Sequence, residues 1–329
     1  MTIRHVALGL ALIALASIPY EVPGIYYVNV ASQILLYAVF ALGLSVLVGY
    51  AGLVSLGHAG LFGLACYGVA YLLAAGYGHT AAIIAALAVT IAGTAAFAAL
   101  SLRATGIGFI MITLALGEIL WGLAYRWISI TNGDNGVSVA LRPSPFGISL
   151  SSAEAFYYAT LLIFLLAVAT VFTLVHSPFG AALMGTRDQP RRMNALGYHV
   201  WMIRFWACMF SGLLTAVAGI LFVYYNQFIS PQTLALTSSA EVLLMVISGG
   251  ASTLLGPIVG AALVVIVKNV VSAYIERWNF MLGAVFVGIV ILMPEGLVPG
   301  TARLWRMGSR ALGLQRNRSK LTKNPDPRP

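Results

Sequence analysis

Long apolar runs separated by short polar breaks fill the chain from residue 6 to residue 297. They lie at 6–18, 28–48, 58–76, 80–101, 106–125, 156–175, 204–225, 253–272 and 278–297. A helix that crosses a bilayer needs about 20 mostly apolar residues, so most of these runs predict crossings. The stretch 238–250 is shorter and predicts a half-helix or a re-entrant segment, which is tolerated where protein or a water-filled cavity lines it. Counting it gives about ten transmembrane or re-entrant helices and an all-α, polytopic membrane fold. Membrane-spanning β-barrels would show weak alternating segments instead. Met1–His5 followed by the run Val6–Ile18 resembles a signal peptide, and Ala14-Leu15-Ala16 offers a cleavage-like site. The next apolar run follows after a short Pro-, Tyr- and Gly-rich linker, which favours an uncleaved first helix.

Composition changes little in that picture. Of the 329 residues 60% are hydrophobic and 8% charged, too few charges to cover the surface of a soluble domain of this size. Charge adds a second region. Arg303, Arg306, Arg310, Arg316, Arg318, Lys320, Lys323 and Arg328 against Asp326 put +7 of the net +9 into residues 301–329. Residues 1–300 therefore read as the membrane domain and 301–329 as a basic cytoplasmic tail facing anionic lipid, not nucleic acid. Leu304, Trp305, Met307, Ala311 and Leu312 would form an apolar stripe in that interface. Cys66 and Cys208 fall in apolar runs and read as packing residues, not as a disulfide or metal site.

Charge also predicts orientation. With the N-terminus inside, Arg4, Arg103, Arg187, Arg191, Arg192, Arg204 and the eight tail residues face the cytoplasm. Arg126, Arg142 and Arg277 face outward, with Lys268 left inside a span. Fourteen against three predicts both termini in the cytoplasm. Loop 126–155 is then periplasmic and carries the turn-rich Thr131-Asn132-Gly133-Asp134-Asn135-Gly136. Loop 176–203 is cytoplasmic.

The second loop reads as a docking element. Pro178 ends the preceding helix, the middle can form a short helix with Arg187, Asp188, Arg191 and Arg192, and Ala195-Leu196-Gly197 closes it with a glycine suited to a left-handed cap. The plainer alternative is a basic loop that only obeys the charge rule. Gly49, Gly52, Gly57 and Gly60 allow close packing or a helix break at membrane depth, and Gly249-Gly250 with Gly256-Pro257 do something comparable later. Two interrupted segments in comparable places suggest an internal repeat, with generic helix-packing glycines as the equal alternative. Ser55 and His58 stand beside the first break. A lone intramembrane His reads first as a hydrogen-bonded structural residue, second as a ligand or proton relay. Glu118 lies eight residues from Arg126, about 12 Å deep, where a carboxylate must face protein or an aqueous cavity. It could meet a substrate ammonium or pair with another helix; Glu241 and Lys268 could pair in the same way. Thr113 is a plausible neighbour of Glu118.

Six ordered segments bear a resemblance to one family. Residues 49–60, Thr113–Ile119, Thr131–Gly136, Ser177-Pro178-Phe179-Gly180 with Ala195-Leu196-Gly197, Leu255–Ala261 and Met293-Pro294-Glu295-Gly296-Leu297 resemble the segments of LivM-type permeases of branched-chain amino-acid ABC importers. Ala181, Asn132, Pro190-Arg191-Arg192 and Ala104–Phe109 depart from the pattern, which bears on substrate and not on class. The resemblance implies a permease without catalysis of its own, resident in the cell inner membrane. It implies a heterodimer with a sister permease, two cytoplasmic ATP-binding subunits that use the ATP, a periplasmic solute-binding protein and an amino-acid substrate. It implies that Arg187, Asp188, Arg191, Arg192, Ala195, Leu196 and Gly197 couple to the ATPase. Ser55, His58, Thr113 and Glu118 are candidates for the translocation path. Importers of urea, short amides and aromatic or carboxylic acids share the pattern.

No lysine follows a glycine, so the chain has no Walker A sequence, and it has no HExxH, paired-Cys or GxSxG pattern. The five histidines, at 5, 58, 79, 176 and 199, are scattered, against what a membrane enzyme would need. An ion-coupled transporter using Glu118, Glu241 and Lys268 as a relay is the remaining rival class.

Overall fold

The computed structural model describes residues 15–17, 19, 24–139, 150–272, 274, 278–293, 295–301 and 303. Most of the 6–18 run, Arg142, Arg277, Pro294 and all of the basic tail but Thr301 and Arg303 lie outside the described residues, the apolar stripe with them.

Helix α1 (Ile25–Ser45) continues without interruption into a π-helical turn, Val46–Ala51. Then come α2 (His58–Ala74), α3 (His79–Ser101), α4 (Ile107–Arg126) and the short α5 (Ile128–Thr131). They are followed by α6 (Ala153–His176), α7 (Pro178–Asp188), α8 (Pro190–Ala195) and α9 (Val200–Asn226). The last three are α10 (Leu236–Gly249), α11 (Gly256–Ser272) and α12 (Trp278–Leu292). Residues 25–51, α3, α4, α6 and α9 are each long and apolar enough to cross a membrane. Helices α2, α10 and α11 are apolar but shorter, with 17, 14 and 17 residues. The reason is physical: α11 starts only after the break at 250–255, and α2 ends at the left-handed turn of Gly76 (φ 85°), so the expected spans 253–272 and 58–76 are cut short. Residues 52–57, between the π turn and α2, are non-helical.

Burial separates the centre from the rim. In the most apolar window of residues 25–51, 83% of residues are buried, and in α9 67%, against 28% in α3, 22% in α4 and 28% in α6. Helix α9 approaches α1, α3 and α2 closely because small residues lie at the contacts. Gly43 lies against the Ser211 backbone and Leu214; Gly212 meets Thr94, and Gly219 meets the Phe62 carbonyl and Ala65. Such small-residue contacts drive association in a bilayer, where burying apolar surface gives no gain over lipid. Phe40 stacks on Phe62 at 4.5 Å, and Phe62 meets Phe222 edge-on at 5.2 Å. At the rim, Tyr157 on α6 donates its hydroxyl to the Leu15 carbonyl at 2.6 Å.

The two long loops sit at opposite ends of α6, whose 24 residues span about 36 Å. At one end Val137–Ser138 (β1) pairs antiparallel with Phe228–Ile229 (β2), tying the loop after α4 to the end of α9. The expected turn run folds tightly there. Asn132 takes φ 58°, a left-handed position that Asn tolerates, which accounts for its standing where the resembled family favours Gly. Its side chain donates to the Gly136 carbonyl at 3.0 Å. At the other end, α7 and α8 replace the single short helix expected from the sequence. Ser177 caps α7 by accepting from the Gly180 amide at 3.2 Å, and Pro178 and Pro190 occupy first-turn positions where a missing N–H costs nothing.

Candidate functional site

Three of the sequence candidates converge on the break that precedes α2. The non-helical stretch leaves backbone donors without helical partners, and side chains from two other helices meet them. Thr113 on α4 accepts from the Leu56 amide at 3.2 Å while donating to the Ile110 carbonyl at 2.9 Å. Ser239 on α10 accepts from the Ala59 amide at 3.0 Å. His58 is 2% exposed, and both its ring nitrogens are occupied: Nδ1 meets Ser55 Oγ at 2.8 Å, Nε2 meets Ser211 Oγ at 2.9 Å. Ser211 spends its one proton on the Gly43 carbonyl at 2.7 Å, so it accepts from His58. The hydrogen is therefore assigned to Nε2, and Nδ1 is the acceptor for the Ser55 hydroxyl. Ser211 lies eleven residues, about 17 Å, along α9 from Val200, deep in the bundle. His58 thus fastens the break to α1 and α9 at once.

Glu118 stands apart from this cluster. Gly117 packs within 3.0 Å of Gly57 where an added Cβ would sit, which fixes α4 against the break, while Thr113 bonds to the break and not to Glu118. Glu118 is half-buried, and its neighbours Met111 and Ile119 are 62% and 63% exposed. Among the described residues no hydrogen bond or ion pair to Glu118 is found. Glu241 and Lys268 instead pair with each other at 3.2 Å between α10 and α11, beside a 3.0 Å hydrogen bond from Asn269 to Gln33. A relay through all three charges would need Glu118 in that pair, and it is not there.

The α7–α8 segment divides the remaining candidates. Leu183 and Thr186 are buried, and Arg204 on α9 donates to the Thr186 carbonyl at 2.8 Å. Arg187 is still 35% exposed but reaches back to the bundle: its Nη1 donates to the Gly49 carbonyl at 2.6 Å in the π turn, while Nε pairs with Asp188 at 2.8 Å. Arg191, Arg192, Ala195, Leu196 and Gly197 face outward, and Leu196 is 67% exposed. Gly197 has φ 86°, and its amide bonds to the Asn194 carbonyl while the Tyr198 amide reaches back to Met193, the paired bonds of a Schellman cap. Ser211, Ser239 and Arg204 were missed by sequence reasoning. Ser211 had a faint signal in the small-residue face of α9; nothing marks Ser239, whose partner is 180 positions away.

Comparison with known proteins agrees with this architecture. The family described as "Branched-chain amino acid transport system / permease component" matches residues 26–292. The "High-affinity branched-chain amino acid transport system permease protein LivM" of Salmonella typhimurium strain LT2 is 30% identical over 301 residues, covering 83% of this chain and 70% of that protein. The protein of the same name from Escherichia coli strain K12 matches with the same figures. The "Autoinducer 2 import system permease protein LsrC" of Yersinia enterocolitica is 33% identical over 138 residues, 40% of this chain and 38% of that protein. No solved structure matches the chain. Matched over most of its length and built of apolar helices around an interrupted core, the chain is a membrane protein that belongs to the permease-component family of branched-chain amino acid transport systems.

Proposed function

We propose that the chain is one of two permease subunits in an ATP-driven importer that carries branched-chain or related amino acids from periplasm to cytoplasm, with both termini cytoplasmic. The observation that carries this reading is the α8 surface. Arg191, Arg192, Leu196 and Gly197 are left uncovered at the end of the bundle opposite the β1–β2 ribbon. An exposed leucine flanked by arginines on a capped helix end is what the groove of a separate ATP-binding subunit can grip. ATP hydrolysis in that subunit supplies the energy, and this chain supplies the path. The sister permease is assigned to the α4 face. A carboxylate deep in a span is strongly disfavoured against lipid, so the half-buried Glu118 between exposed Met111 and Ile119 supports a water-lined path between two subunits there. A periplasmic solute-binding protein delivers the amino acid to the ribbon end.

Co-expression with the ATP-binding, sister-permease and solute-binding partners tests the reading. The four components should co-purify, and vesicles containing them should take up leucine or a related amino acid only with ATP inside the compartment that faces α8. A cysteine at Gln189 should react from the cytoplasmic side of sealed cells alone. Glu118→Gln should leave assembly intact and lower uptake several-fold. ATP-independent uptake driven by a proton or sodium gradient would overturn the reading.

A further inference from the structure

The π turn and the break that follows it lie under α7. Gly49, inside the turn, sits so close to the Ala251 carbonyl that a Cβ there would collide with it, so the first interruption abuts the second, between α10 and α11. The last carbonyls of a helix lack partners along the chain. The Leu53 amide returns to Leu47, and the Gly49 carbonyl is met instead by Arg187 of α7 at 2.6 Å. A guanidinium at this negative helix end is favoured both as a charge-assisted donor and by the helix dipole. The stem of the same arginine lies on Gly52, where the backbone takes φ 69° and an added Cβ would come within 2.6 Å of Arg187 Cγ.

We propose that Arg187 is a positioning residue that transmits movement of α7 to the helix break, with Gly52 as the pivot. The near side of the break is held by Arg187, on a helix anchored through Leu183 and Thr186. The far side is held by Thr113 on Leu56 and by the Ser55–His58–Ser211 chain. Between the Gly49 carbonyl and Ser55, residues 50 and 51 complete the π turn, so the non-helical link is residues 52–54, which carry the positive-φ glycine. A displacement of α7 therefore reaches the deep His58 cluster through one guanidinium and a three-residue link. The flat fork serves two acceptors in different directions, Gly49 and Asp188, which a lysine ammonium on a flexible stem would meet less well. Asp188, on the solvent side, holds the fork in that orientation.

This inference rests on the importer reading, and its test separates the two. In vesicles holding the whole complex, Arg187→Ala should co-purify with the ATP-binding subunits as the parent does. Its uptake and its solute-stimulated ATP hydrolysis should fall together by tenfold or more. Arg187→Lys should fall in between. Gly52→Ala, which leaves the arginine in the chain but forces it off the pivot, should behave like Arg187→Ala. Parental uptake in Arg187→Ala overturns the proposal, and so does loss of co-purification in Arg187→Lys, which would make Arg187 a docking residue. If Arg187→Ala or Gly52→Ala accumulates poorly in the membrane, Arg187→Lys decides: lowered uptake with normal co-purification supports the link, parental uptake overturns it. A parent that never binds an ATP-binding subunit sinks the importer reading instead, and uptake by the Arg187 variants still tests the link.

Discussion

Helices α7 and α8 are neighbours in sequence, separated by Gln189 alone, yet they belong to different parts of the molecule. Gly180, Leu183 and Thr186 of α7 are buried, and the helix is tied to α9 by Arg204 and to the π turn by Arg187. No residue of α8 is buried. The first is part of the bundle that happens to lie at its end; the second is a projection whose shape is kept by local caps. Their side chains look alike in sequence, with one arginine on α7 and two on α8. What differs is whether a guanidinium finds an acceptor inside the protein or must find one outside it. On the proposed reading, that difference separates gripping a partner from passing on its movement.

Substitutions should bring out the contrast, first at Leu183. It is 1% exposed in the seat of α7, and Leu183→Ala should destabilise the protein by about 2–5 kcal/mol through lost packing and the cavity left behind. The thermal midpoint of the purified complex and the amount in the membrane should both fall. An unchanged midpoint would mean that α7 is no more anchored than α8.

Gly197 should have a smaller, local effect. Its φ of 86° is disfavoured for a β-branched residue, and nothing lies within 4 Å of an added Cβ. Gly197→Val should therefore cost about 1–2 kcal/mol of cap strain and no packing. Membrane levels should stay normal, while co-purification of the ATP-binding subunit and solute-stimulated hydrolysis decline. A variant that fails to insert would place Gly197 with α7 instead of α8.

The smallest effect on stability belongs to the paired reversal Arg191→Glu and Arg192→Glu. Both residues are exposed, so the thermal midpoint should shift by no more than about 0.5 kcal/mol equivalent. Docking should weaken, and its dependence on salt should change, because exposed charge pairs are screened. Docking with the parental affinity and salt dependence would leave α8 a topological anchor only.

The class, the helices and many of their ends were legible in the chain itself. Apolar runs of about 20 residues can do little else than span or pack in a bilayer, and the ends at Ser177-Pro178 and Gly197 follow from local backbone chemistry. The sequence also marked 49–60 and 249–257 as places where helices could break. That the two breaks touch is visible only in the packing of the folded chain. The same packing also sets that His58 bonds to Ser211 153 positions away, that Glu241 pairs with Lys268 while Glu118 stays apart, and that Arg187 reaches the Gly49 carbonyl. The physical reason is reach. Helix formation and capping are settled within a few residues of the chain, so they leave a local pattern. The partner of a buried polar group is whichever helix happens to face it, and that is fixed by the packing of small residues on distant segments.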